Sequence, residues 1–138
     1  MSNSLRNAFG LKTLINTFDI DGVIYFGEEL TGVKPCDMDI IITGRSFEQR
    51  EETEKMLKSR NIYNRVMYNP LKRSDPAYGR AASGRHKAET IKELQEIHAY
   101  KIGMHFEDDP VQIAEIKNVH PSLQIIHLAR ESEEHVRY

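Results

Sequence analysis

Two aspartates, Asp19 and Asp21, stand two residues apart in FDIDGV, directly after LINTF and just before Gly22. Further along come Thr43-Gly44-Arg45 after DIII, Lys87 within SGRHKAETI, and Glu107-Asp108-Asp109 after KIGMHF. If these stretches meet, one site holds several carboxylates, a hydroxyl, a glycine amide and a lysine. Ionised carboxylates crowd together only around positive charge. A hard divalent cation with oxygen ligands meets that need, and Mg²⁺ is the expected ion. A phosphate then has a place to dock, with Thr43, the Gly44 amide and Lys87 taking the oxygens the cation leaves. An aspartate beside it can attack phosphorus and form an aspartyl-phosphate. A second carboxylate can protonate the leaving oxygen and later deprotonate the attacking water. This chemistry assigns Asp19 as the nucleophile and Asp21 as the general acid/base.

Such residues need a scaffold that brings distant segments to one edge. Apolar runs alternate with helical patterns along the chain, which predicts βαβ units around a parallel sheet. Strands are expected at Thr13–Ile20, Asp39–Thr43, Asn64–Tyr68, Lys101–Phe106 and Leu123–Leu128. DIIIT is a continuous apolar run, as expected of a strand buried on both faces. Helices are expected over Ser46–Arg60, opened by the S-x-x-Q capping box of SFEQ, over Arg85–His98, and from Pro110 to about Asn118. Asp109 before Pro110 is an N-cap followed by proline at the first helical position. Val23–Val33 reads as a short hairpin or flap, and Asn69–Gly84 as a loop. Lys87 then falls in the first turn of its helix. In open α/β sheets the ligand site lies at the carboxyl ends of the strands. That is where Asp19, Asp21, Thr43, Gly44, Arg45 and the Glu107–Asp109 run fall.

The totals bound the answer. The 138 residues fit one domain, 1–138, with a short flap at 22–38 and a polar tail at 129–138. Hydrophobic residues are 39% and charged residues 29%, with a net charge of −2, so composition singles out neither nucleic acid nor membrane. No apolar run approaches the roughly 20 residues of a membrane span, and the first residues lack the apolar core of a signal peptide. The lone Cys36 cannot form an internal disulfide, so a reduced, cytoplasmic setting is expected. The six histidines lack metal-ligand spacing and read as packing or surface residues, with His86 the one placed to reach a substrate.

The four stretches, in this order, resemble the motifs of the haloacid dehalogenase (HAD) superfamily of phosphotransferases. FDIDGV is similar to the first motif, DxDG; IIITGR to the second; SGRHKAETI, through Lys87, to the third; and HFEDDP to the fourth. The resemblance covers roughly Leu14 to Leu128. It implies a three-layer α/β/α sandwich whose five-stranded parallel sheet has strand one central and strands two and four beside it. It also implies Mg²⁺ held by the Asp19 carboxylate, the Asp21 backbone carbonyl and Asp108, with Asp109 bound directly or through water. Two points stay open in the sequence: Arg85 or Lys72 could fill the lysine's role, and the acidic pair could be Glu107-Asp108 or Asp108-Asp109.

Many members of that superfamily carry a cap domain over the site. Neither the Gly22–Asp39 gap nor the Arg45–Lys87 gap leaves room for one, so an open site is expected. The segment Asn69–Lys87 carries five basic residues and one Asp, about +4 by formal count. Lys72, Arg73, Arg80 and Arg85, with Gly44 and Arg45, are the expected substrate contacts for a polyanion, and Tyr78 could stack on a base. DDPVQIAEI looks like the fourth-motif segment of the phosphatase half of phage polynucleotide kinase/phosphatases, which implies nucleic-acid 3′-phosphate ends or nucleotides as substrates. No GxxxxGKS or GxxxxGKT stretch for a kinase half occurs. Two alternatives stand beside this: a small-metabolite phosphatase closed by a homo-oligomer partner, and a non-catalytic binding module of the same fold. The oligomeric state is not legible in the sequence.

Overall fold

The computed structural model describes residues 12–27, 32–129 and 138. Five strands form one sheet: β1 Thr13–Phe18, β2 Ile40–Ser46, β3 Val66–Asn69, β4 Tyr100–Glu107 and β5 Gln124–His127. Their order is β3-β2-β1-β4-β5, with every pairing parallel, so β1 is central between β2 and β4. The helices are α1 Arg50–Ser59, α2 Arg80–Glu96 and α3 Pro110–Val119.

Side-chain alternation explains the layers. Along β2, Ile40 and Ile42 enter one core with Ala88, Ile91 and Leu94 of α2 and Ile116 of α3. Ile41 points the other way and packs with Phe18, Ile20, Val23, Ile24, Leu57 of α1 and Ile62. Both faces of the sheet are therefore covered, which is why the strand reads IIIT rather than alternating with polar residues. Each such fully buried aliphatic chain contributes about 1.5–3 kcal/mol.

Local signals hold where the sequence is explicit. Ser46 accepts from the Glu48 amide, and Gln49 reaches back to the Ser46 amide, closing the capping box over a 3₁₀ turn, Phe47–Gln49, that leads into α1. Asp109 caps α3 by accepting from the Val111 amide, with Pro110 in the first turn.

Most element ends shift by a residue or more from expectation, and three of the shifts bear on the site. α2 begins at Arg80, not Arg85, so the preceding loop is shorter and Lys87 lies two turns inside the helix. Ser83 and Gly84 are weak helix formers, but Gly84 stands where α2 meets α3 and Ser83 lies against Gly44 and Asn69. A Cβ on Gly84 would lie 2.7 Å from Glu115 Cβ and 2.9 Å from Gln112 Cα, so close packing holds the helix there. β1 ends at Phe18, which leaves Asp19 as the first residue beyond it. β2 runs on to Ser46, through an irregularity after Ile42, and carries Thr43, Gly44 and Arg45 inside its last turn of ladder.

After Asp21 the chain turns sharply at Gly22, whose φ of 81° suits glycine. The Ile24 and Tyr25 amides both bond the Ile20 carbonyl. The Gly32 and Val33 amides bond the Ile24 and Val23 carbonyls, and residues 28–31 of the expected hairpin or flap lie outside the described residues. Most of the 129–138 tail, residues 130–137, is likewise outside them. Among the described residues no helix is long and apolar enough to cross a membrane.

Candidate functional site

The carboxyl edge of β1 is flanked by the ends of β2 and β4, and α2 lies beneath. Asp19, Lys87, Glu107 and Asp108 are all buried there. Lys87 reaches them because α2 turns one face to the sheet: Lys87, Ile91 and Leu94 follow the helical repeat and are fully buried, while Arg85 and Glu89 point outward. Its Nζ lies 2.9 Å from Asp19 Oδ1 and 2.6 Å from Glu107 Oε1. Of Lys87, Arg85 and Lys72, the residues expected for the third motif's role, Lys87 is the one that reaches Asp19.

Asp19, Glu107 and Asp108 place one carboxylate oxygen each within 4.8 Å of one another, so together they could hold a metal ion. The donor set suits a hard cation, since all three ligands are oxygens. Three carboxylates and one ammonium give the cluster a formal charge of −2, which a divalent ion would balance. Burial pushes the Asp19 carboxyl well above the usual range, the Glu107 charge adds to this, and Lys87 opposes it. Burial likewise raises Glu107. Lys87 is itself held above the ordinary lysine value: burial works against its charge, and Asp19 and Glu107 outweigh that cost. A cation among these oxygens relieves the same penalty that otherwise draws in a proton.

Of the two acidic registers left open, Glu107 and Asp108 lie with Asp19 in the group that could hold an ion, and Asp109 lies outside it. Asp109, expected as a further ligand, leaves the strand to cap α3. It accepts from Arg80 through both oxygens, with Nε at 2.8 Å, and from Gln112 Nε2 at 3.0 Å. Burial alone would raise its carboxyl, but Arg80 and the Val111 amide bring it below the ordinary value.

Asp21 is also paired. Arg45 donates from Nη2 at 2.7 Å and Nε at 2.9 Å, a two-point grip, and its Nη1 donates to Thr53 Oγ1 at 3.1 Å. The guanidinium lies 5.5 Å from the ring centres of both Tyr25 and Tyr138. Thr43 is fully buried, its hydroxyl accepting from the Arg45 amide at 3.0 Å. Gly44 abuts Ser83 and Tyr138: an added Cβ would lie 2.6 Å from Ser83 Oγ. Tyr138 O accepts from Gln112 Nε2, and Tyr78 donates its hydroxyl to Gly44 O at 2.9 Å.

Two of the expected substrate cations, Arg45 and Arg80, thus bond carboxylates of the site itself. Lys72 and Arg73 are exposed on the loop after β3, where the Arg73 amide bonds Glu48 at 2.8 Å. Arg85 faces Glu115 of α3 at 3.8 Å, away from the acidic cluster. His86 is half-buried under that loop, and burial, then Lys87, pushes its ring down to about 4. His105 was expected to be a packing or surface residue. It is fully buried, as a packing residue is, and it also bonds Thr17 and Glu107, a contact signalled by its place two residues before Glu107 on one strand. Compared with family models, with curated proteins and with solved structures, the chain matches none.

Proposed function

We propose that this protein is a Mg²⁺-dependent phosphomonoester hydrolase of the haloacid dehalogenase type, acting through an aspartyl-phosphate on Asp19. The observation that carries this reading is the Lys87 ammonium on Asp19, with Glu107 and Asp108 beside it and Asp21 two residues on, at the carboxyl edge of the central strand. Asp19 attacks phosphorus as the bond to the leaving oxygen breaks, and Asp21 protonates that oxygen. Asp21 then takes a proton from water, whose oxygen attacks phosphorus and frees Asp19 and inorganic phosphate. Lys87 favours the anionic form of Asp19 against the burial that disfavours it, and Arg45 holds both oxygens of Asp21, one of which must leave that grip to carry the proton. Thr43 and the Gly44 amide stand at the end of β2 for the phosphate oxygens. Bound Mg²⁺ would neutralise part of the phosphate charge.

Nucleic-acid 3′-phosphate ends or nucleotides are the proposed substrates. Only a turn lies between β1 and β2 among the described residues, and only α1, β3 and a loop lie between β2 and α2, which supports an open site. The loop carries exposed Lys72 and Arg73 and borders Gly44 through Tyr78, which supports a polyanionic ligand. Phosphate release with Mg²⁺ from a 3′-phosphorylated oligonucleotide, mononucleotides, sugar phosphates and an aryl phosphate tests both parts. Turnover fastest on the oligonucleotide and abolished in a folded Asp19→Asn variant is expected. Turnover that survives this substitution would end the mechanism, and a sugar phosphate as best substrate would end the nucleic-acid reading.

A further inference from the structure

The acidic cluster is held from below by side chains that solvent does not reach. Thr17 of β1 and His105 of β4 are register partners on adjacent strands, and both are fully buried. Thr17 Oγ1 lies 2.8 Å from His105 Nδ1. Two residues along β4, on the same face, Glu107 Oε1 lies 3.2 Å from His105 Nε2. That oxygen also receives Lys87, which continues to Asp19. The other Glu107 oxygen receives the Asp108 amide at 3.2 Å and the Asp109 amide at 3.4 Å. One line of hydrogen bonds therefore runs from the middle of the sheet to Asp19.

We propose that Thr17 and His105 are positioning residues for this cluster: the hydroxyl orients the imidazole, the imidazole orients Glu107, and Glu107 sets Lys87 against Asp19. The direction of each bond follows from the donors available. Glu107 Oε1 already accepts from the Lys87 ammonium at 2.6 Å, so it is the acceptor toward the imidazole as well, and Nε2 carries the proton. In a singly protonated ring Nδ1 then accepts, and the Thr17 hydroxyl donates. Inner strands of a parallel sheet normally carry apolar side chains, and a polar pair there costs desolvation unless every group is bonded. Packing alone would be met by an apolar pair. What the polar pair adds is an N–H aimed at Glu107. Outer partners of this kind tune metal affinity about 10–100-fold in known sites. The effect on turnover rests on the phosphatase reading; the effect on Glu107 does not.

The test compares the full chain with His105→Leu, which removes the donor, His105→Gln, which keeps an N–H at similar reach, and Thr17→Val. Mn²⁺ affinity by calorimetry, the ring-nitrogen spectrum of ¹⁵N-histidine, and kcat and KM on an aryl phosphate are read well below each melting point. His105→Leu should weaken Mn²⁺ binding about tenfold or more and lower kcat more than it changes KM. His105→Gln should recover much of both. The wild-type ring should be the Nε2–H form, and Thr17→Val should shift its Nδ1 signal. Wild-type affinity in His105→Leu, equal losses in Leu and Gln, or an Nδ1–H ring would each overturn the proposal. Should His105→Leu not fold, the ring form and its response to Thr17→Val decide. If the wild type binds Mn²⁺ but releases no phosphate, the phosphatase reading fails while the affinity and ring measurements still decide. If it binds no Mn²⁺, the ring measurement decides alone.

Discussion

Replacing Lys87 by methionine keeps length and packing and removes one charge. Lys87 is fully buried, with carboxylate oxygens at 2.6 and 2.9 Å, so Lys87→Met leaves Asp19 and Glu107 facing each other without their cation. Breaking a buried pair from one side costs about 3–5 kcal/mol. Unfolding entropy of roughly 2.1 cal/mol/K per residue is about 0.3 kcal/mol/K for a chain of this size, so Tm should fall by about 10–17 °C. The pH dependence has a definite sign. Both carboxyls already sit above their ordinary values through burial, and Lys87 is what opposes this. Without it their folded values rise further, so the folded state binds protons that the unfolded state releases. The deficit should be largest near pH 8 and shrink as pH falls toward 5. Removing the ammonium also takes the cluster from a formal −2 to −3, so Mg²⁺ should raise Tm more in the variant than in the wild type. Thermal melts at both pH values, with and without Mg²⁺, read all three effects. A Tm loss that is equal at pH 5 and 8, with no larger response to Mg²⁺, would refute the electrostatic account and leave Lys87 a packing residue.

Gly84→Ala should destabilise by about 1–3 kcal/mol in urea denaturation although alanine is the better helix former by about 1 kcal/mol, because the added Cβ meets Glu115 and Gln112 of α3; a gain in stability would contradict the close α2–α3 approach. Ile91→Ala, at a fully buried position shared by α2 and the sheet, should cost about 2–5 kcal/mol in the same assay, and a loss under 1 kcal/mol would contradict its place in the core. His86 is pushed down to about 4 by burial and then by Lys87, so the unfolded chain takes up a proton below its ordinary value near 6.5 that the folded ring refuses. The contribution of His86 to stability should therefore fall by about 2–3 kcal/mol from pH 7 to 4.5, and His86→Gln should lack that part of the acid limb; identical acid limbs would show the ring to be free to protonate.

Much of the architecture is legible because its rules are local. An isoleucine run of strand length predicts β2, S-x-x-Q predicts the capped entry to α1, and Asp-Pro predicts the start of α3. Each depends on residues within a few positions of one another, and each appears in place. The start of α2 is not local. Ser83 and Gly84 speak against a helix by propensity, and only the approach of Gly84 to α3, some thirty positions on, and of Ser83 to Gly44 and Asn69 makes the small residues useful.

The same division runs through the site. The order of residues tells which types end each strand, and the open-sheet rule brings Asp19, Thr43 and the Glu107–Asp109 run to one edge. Tertiary structure decided which charge meets which. The phase of α2 turns Lys87 inward with Ile91 and Leu94 and leaves Arg85 outside. Alternation along β4 aligns Glu107 with His105, while Asp109 is spent on capping a helix and holding Arg80. Arg45 pairs with Asp21 across 24 positions of sequence. Ion pairing depends on distances of a few ångströms, which packing sets between segments remote in the chain, so no local pattern could decide it.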